Sequence, residues 1–283
     1  MFAIIDACAF INLIGACDDD KYLDFLEYEF KKIFVAKDKV ADEIQDNMFK
    51  NFLNLESSRR EEIEEIIYQR VRAKYICWED TKDCQDFLSQ ITQYPKRNGE
   101  FFSVALSLYL SRVGGEGKEL CEKLFAVHLV TDDLGISNDF GEFFRINQIG
   151  NILDTIDIVT FLYLRERITK GDLENYCISL KSLYSRALAE LEAQLEKIRQ
   201  HEKDVKLISF FSEIMNILQY DNTEPLDQKW KDFTRENSSI HRRAKQKYSN
   251  FFNLVEDYIT DGSLNQIARI EERRKQIVHI WKL

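Results

Sequence analysis

Short unbroken apolar runs alternate with stretches of helical period over the first 180 residues. In AIIDACAFINLIGAC, Ala3 to Cys17, Ala3–Ile5 reads as a buried strand with Asp6 at its end and a helix after it. Tyr22 to Lys32 gathers aromatic and aliphatic residues on one helical face, and Ile33–Ala36 is a brief extended connection. Lys39 to Leu53 resumes the helical period with Val40 and Ile44 toward the core. Arg59–Lys74 is a charged helix with Ile63, Ile66, Ile67 and Val71 on one stripe, Tyr75–Trp78 is the next strand, and residues 79–91 form an acidic-fronted helix. After Glu100 the stretch Gly99–Val113 is almost wholly apolar, which predicts a central buried helix. Phe125–Asp133 is a strong strand ending in two acids, Phe143–Asn147 a shorter strand, and Asn151–Glu166 a helix behind it.

Strands alternating with helices predict a three-layer α/β/α domain around a central parallel sheet, with ligand sites outside the carboxyl ends of the strands. From about Lys181 strands cease, and Leu188, Leu191, Leu195 and Ile198 repeat at three and four residues. The boundary is set near Arg186, giving an α/β domain over 1–185 and an all-helical C-terminal region over 186–283. The leucine spacing suits an intramolecular hairpin or a coiled-coil homodimer equally, and Glu202 on the seam favours a short contact.

Composition narrows the class. With 283 residues, 45% of them apolar, and only 2 Pro and 10 Gly, the chain can fill a core and has little linker character. Its six cysteines are scattered without a CxxC pair, the usage of a reduced cytoplasmic protein. The first apolar run lacks the basic start of a secretory signal and is too short and too charged to span a membrane. The net charge is −10, divided as about −12 over the first 180 residues and +2 over the rest, which counts against a general grip on polyanions.

An acidic domain is, however, what a carboxylate site produces. Asp6 and the pair Asp132–Asp133 end strands, Glu100 opens the buried helix, and Glu43 lies between Val40 and Ile44. Each alone is a cap, a solvated residue or a first-turn acid meeting the helix dipole. Together they suit a hard divalent cation, because crowded carboxylates repel and burial resists their ionisation until a cation sits among them. Mg²⁺ or Mn²⁺ keeps waters for an attack at phosphorus, and two ions can clamp an in-line displacement.

In this order the motifs resemble those of the PIN-domain nucleases: IIDACAFINLIGA the first, giving Asp6; FVAKDKVADEI the second, giving Glu43; NGEFFSVALSLYL the third, giving Glu100; HLVTDDLGISNDF the fourth, giving Asp132. The resemblance covers about residues 1 to 185. It implies a PIN-like fold and a Mg²⁺- or Mn²⁺-dependent endoribonuclease that cleaves single-stranded RNA with a metal-activated water. Asp6, Glu43, Glu100 and Asp132 are then the catalytic and metal residues, with Asp133 as a further ligand. Cys8 departs from the family's usual Asn, Ser or Thr at a position touching the site. Thr131 is a strand threonine with a hydroxyl in reach of a site carboxylate, and Asp139 caps a turn. The biological settings the resemblance allows include a toxin held by an antitoxin or other regulatory protein, and a phage-defence effector.

In the C-terminal region HRRAKQKY offers Arg242, Arg243, Lys245 and Lys247 to RNA phosphates and Tyr248 as a stacking ring. Arg235 to His241 and Arg274 to His279 have the spacing of metal-free HEPN ribonucleases, a rival reading. Another is a catalytically silent PIN-like scaffold for protein binding. GxGxxG and GxxxxGK[ST] are absent, Asp6 lacks the adjacent acid of a receiver domain, and Cys8 breaks the Asp-x-Asp of HAD-type phosphatases.

Overall fold

The computed structural model describes residues 1–16, 20–36, 40, 42–44, 57–78, 89, 99–114, 125–218, 226–260 and 263–281. They fall into two compact units, Met1–Tyr176 and Cys177–Leu283. The division lies inside a continuous helix, earlier than the change of pattern at Arg186; an unbroken helix leaves no Pro, Gly or polar linker to mark it.

In the first unit β1 (Phe2–Ile5), β2 (Lys32–Ala36), β3 (Ile76–Trp78), β4 (Val127–Val130) and β5 (Gly150–Leu153) form an all-parallel sheet in the order β3-β2-β1-β4-β5. The chain steps outward from β1 to β3, then returns to the other side of β1. This puts the topological switch point between β1 and β4, where open α/β sheets form their crevice. All four β1 residues are at most 5% exposed, so both faces of the sheet are covered.

The helices of this unit are α1 (Ala7–Gly15), α2 (Lys21–Glu29), α3 (Ser57–Ile67, continued by a π turn over Tyr68–Arg72), α4 (Gly99–Val113), α5 (Leu134–Ile146) and α6 (Thr155–Leu164). α4 is the central buried helix that its apolar content predicts, and it packs on β1, β2 and β4. Its buried Ser103, Ser107 and Ser111 recur every fourth residue, a face of small side chains that permits close approach.

Two short segments differ from the pattern reading. Residues 33–36 belong to a full strand, β2, rather than a connection, with Ile33 and Phe34 in register with Ala3 and Ile4. Phe143–Asn147 is not a strand: Phe143–Ile146 are the end of α5, whose Ile136, Phe140 and Phe144 are buried at four-residue spacing while Ile146 is exposed. The fifth strand is instead Gly150–Leu153, so the helix expected from Asn151 begins only at Thr155. Gly150 has φ +150°, and a Cβ there would lie 2.0 Å from the Val127 carbonyl oxygen, so only glycine fits. The helix read over 79–91 and most of that over 39–53 lie outside the described residues.

The second unit is all-helical. It continues α7 (Lys170–His201) and adds α8 (Val205–Leu218), α9 (Leu226–Glu236), α10 (Ser238–Lys247), α11 (Ser249–Thr260) and α12 (Ser263–Trp281). Leu191 and Leu195 pack within this unit among Leu207, Phe210, Phe211 and Phe252, flanked by Leu188 and Ile198. The leucine stripe thus serves an intramolecular core, where each buried aromatic or leucine contributes about 2 kcal/mol. Among the described residues no helix is long and apolar enough to cross a membrane.

Candidate functional site

Asp6 leaves β1 as the N-cap residue of α1, its N–H bonded to the Val130 carbonyl at the end of β4. That parallel pairing brings the first and fourth motifs together. The Thr131 hydroxyl donates to Asp6 Oδ2 at 3.0 Å, and the Cys8 thiol donates to the same oxygen at 3.2 Å. Cys8 Sγ in turn accepts the Asp132 N–H at 3.3 Å. The thiol therefore makes a contact of the kind expected from a hydroxyl or amide at this position. Burial first, then the charges of Asp6 and Asp132, push its pKa well above the usual thiol value, so it remains a protonated donor.

Thr131 has more than a strand role, because its hydroxyl oxygen also accepts the Asp133 N–H at 3.1 Å. Asp133 caps α5 through Oδ1, which accepts the Gly135 N–H at 2.7 Å. Asp139, read from sequence as a turn cap, is an exposed residue in mid-α5; the cap is Asp133.

Glu43 is helical, between buried Val40 and Ile44 as its flanks predict. Its Oε2 lies 3.1 Å from where a Cβ on Gly99 would stand, which brings the second motif to the start of α4, where the following residue, Glu100, is half-buried. Although much of the Glu43 side chain is exposed, burial of its carboxyl end, then Asp6 and Asp133, raises its pKa. Asp6 is raised chiefly by burial, with Asp133 adding to the rise against the lowering bonds from Cys8, Ala7 and Thr131. Asp6, Glu43 and Asp133 thus form one electrostatic group.

Asp132 has a different environment. Its Oδ1 accepts the Thr155 N–H at 3.0 Å, and its Oδ2 accepts the Asn12 amide at 2.7 Å and the Thr155 hydroxyl at 2.8 Å. Burial, then Asp154, raises its pKa, while Asn12 and Thr155 lower it. Neither Asn12 nor Thr155 stands out by charge. Asn12 is nonetheless the lone amide in the apolar α1 and is 4% exposed, a signal that a buried partner exists.

Among the described residues, no three His, Cys, Asp or Glu side chains stand close enough to hold one metal ion. What the crevice gathers is oxygen donors of one sign whose ionisation is resisted by burial and mutual repulsion, a donor set and charge that match a hard divalent cation.

The basic stretch of the second unit is largely consumed internally. Arg243 pairs with Asp204 at 2.7 Å, Lys245 with Glu256, and Lys247 with Glu202 at 2.7 Å, while Arg242 is exposed. Arg235 pairs with Asp232, and the His241 ring packs against Trp230 and Phe252 with Nε2 buried and unpartnered. Arg274 lies 3.9 Å from Glu271, and the His279 side chain is outside the described residues. No family model, curated protein or solved structure matches the chain.

Proposed function

We propose that the first unit is a PIN-like, Mg²⁺- or Mn²⁺-dependent endoribonuclease acting on single-stranded RNA. The observation that carries this reading is the electrostatic group of Asp6, Glu43 and Asp133 at the switch point between β1 and β4. Because no three acids stand close enough to share one ion among the described residues, a cation would be held by at most two of Asp6, Glu43 and Asp133 at a time, with waters completing its shell. A cation there supplies a water of lowered pKa and positive charge against the phosphodiester. The chain's own contribution is rigidity. Thr131 and Cys8 fix the rotamer of Asp6, the α5 cap fixes Asp133, and Asp132 ties the end of β4 to α1 and α6.

The test is incubation of the full chain with unstructured RNA in Mn²⁺ or EDTA, followed by analysis of product ends. Cleavage that needs Mn²⁺ and leaves 5′-phosphates is expected. Cleavage that persists in EDTA and leaves 2′,3′-cyclic phosphates overturns the proposal.

Linkage gives a second test. Because the folded-state pKa values of Asp6 and Glu43 lie above their ordinary 3.8 and 4.5, the folded chain binds these protons more tightly than the unfolded chain. Their contribution to stability is therefore fully present below the ordinary values and lost as pH rises through the raised ones. A cation favours the ionised forms, so the gain in Tm from Mn²⁺ should be small in acid and grow through that window. Thermal denaturation with and without Mn²⁺ from acidic to neutral pH checks this. A gain that does not vary with pH, or none at neutrality, counts against the site.

A further inference from the structure

The second unit holds a groove of about 380 Å³ between α7 and the corner where α10 meets α11. Among the described residues no acidic side chain lines it. Ile198 and Tyr248 give it a partly apolar floor over the buried Phe251, Gln194 and Asn250 supply amides, and Lys197 supplies positive charge, Lys247 being paired with Glu202. The wall at the corner is fixed before any ligand arrives. Buried Glu202 accepts the Lys247 ammonium at 2.7 Å and the Tyr248 hydroxyl at 2.6 Å on Oε2, and the Lys203 and Asp204 N–H groups on Oε1. Tyr248 therefore presents a ring whose hydroxyl is already committed. Lys197 is exposed and has no acidic partner among the described residues.

We propose that this groove binds a nucleoside phosphate. The base lies on the Tyr248 ring and Ile198, with its edge toward the amides of Gln194 and Asn250, and the phosphate meets Lys197. A lone oxyanion would leave the floor unused, and an uncharged aromatic body would leave Lys197 unused. The volume lies within the range of small-molecule sites. The same chemistry is offered by a free mononucleotide and by one residue of single-stranded RNA. The proposal stands independently of the nuclease reading.

The experiment uses the full chain carrying Asp6→Asn, in EDTA, so that neither cleavage nor a cation in the first unit contributes. Calorimetric titration compares AMP and UMP, a short single-stranded oligonucleotide, adenosine and inorganic phosphate, each up to about 5 mM. Nucleotide binding at least tenfold tighter than either adenosine or phosphate is expected. It should weaken at least tenfold in Lys197→Glu and less in Asn250→Ala, both exposed positions where circular dichroism should show an unchanged fold. Preference for AMP or UMP identifies a free nucleotide as the source, and preference for the oligonucleotide identifies RNA. No binding by any probe, phosphate binding as tight as AMP, or full binding by Lys197→Glu overturns the proposal.

Discussion

Replacing Asp6 with Asn is expected to lower Mn²⁺-dependent RNA cleavage by roughly a hundred- to a thousandfold while raising the metal-free stability of the fold. Asn keeps an acceptor for the Thr131 hydroxyl and the Cys8 thiol but removes a charge that burial and Asp133 both oppose. The gain should be on the order of 1 kcal/mol, or about 3 °C in Tm for a unit of this size. Asp133→Asn should lose activity as well, because an Asn at this position can still cap α5 through Gly135 but no longer adds its charge to the site. Cleavage assays and calorimetry on both variants decide. Full activity in the pair would remove the catalytic assignment, and a marked fall in Tm for Asp6→Asn would make that residue structural.

Asp132→Ala should behave in the opposite way, with its first effect on folding. Removing this carboxylate strands the Thr155 N–H and the Thr155 hydroxyl in a buried environment and takes an acceptor from the Asn12 amide. The cost of such unpaired groups is about 2–3 kcal/mol, or roughly 5–10 °C in Tm. Asn12→Ala should give a smaller loss, and the double variant should lose less than the sum, with a coupling of about 1 kcal/mol. Activity measured well below the lowered Tm should survive in part. An Asp132→Ala protein as stable as the parent but inactive would instead place Asp132 among the cation's ligands.

Much of the crevice was legible in the sequence because a strand buried on both faces reads as a short unbroken apolar run, and an acid closing such a run stands out from local sequence alone. Asp6, Thr131 and Asp133 meet because β1 and β4 are neighbours, a pairing of strands far apart in the chain that the structure supplies. The different surroundings of Asp132 and Asp133 were not legible. Adjacent residues beyond a strand end point in different directions, and which one meets Asn12 depends on a contact 120 positions away in sequence. Phe143–Asn147 misled because an aromatic-rich run satisfies strand propensity, whereas the burial of Ile136, Phe140 and Phe144 at a spacing of four belongs to a helix. The pairing of the basic run near the C-terminus was hidden for a different reason. Lysines and arginines show their charge in sequence, but the acids that neutralise them, Asp204, Glu256 and Glu202, come from other helices.

The cramped seat of Gly150 against Val127 has a long reach. β5 runs straight from that glycine to Asp154 and Thr155, and Thr155 grips Asp132. Any side chain grafted at position 150 must lever the edge strand away from β4 and, through that rod about 15 Å long, drag the clamp off its carboxylate. The rear margin of the sheet thereby controls how tightly its front is braced.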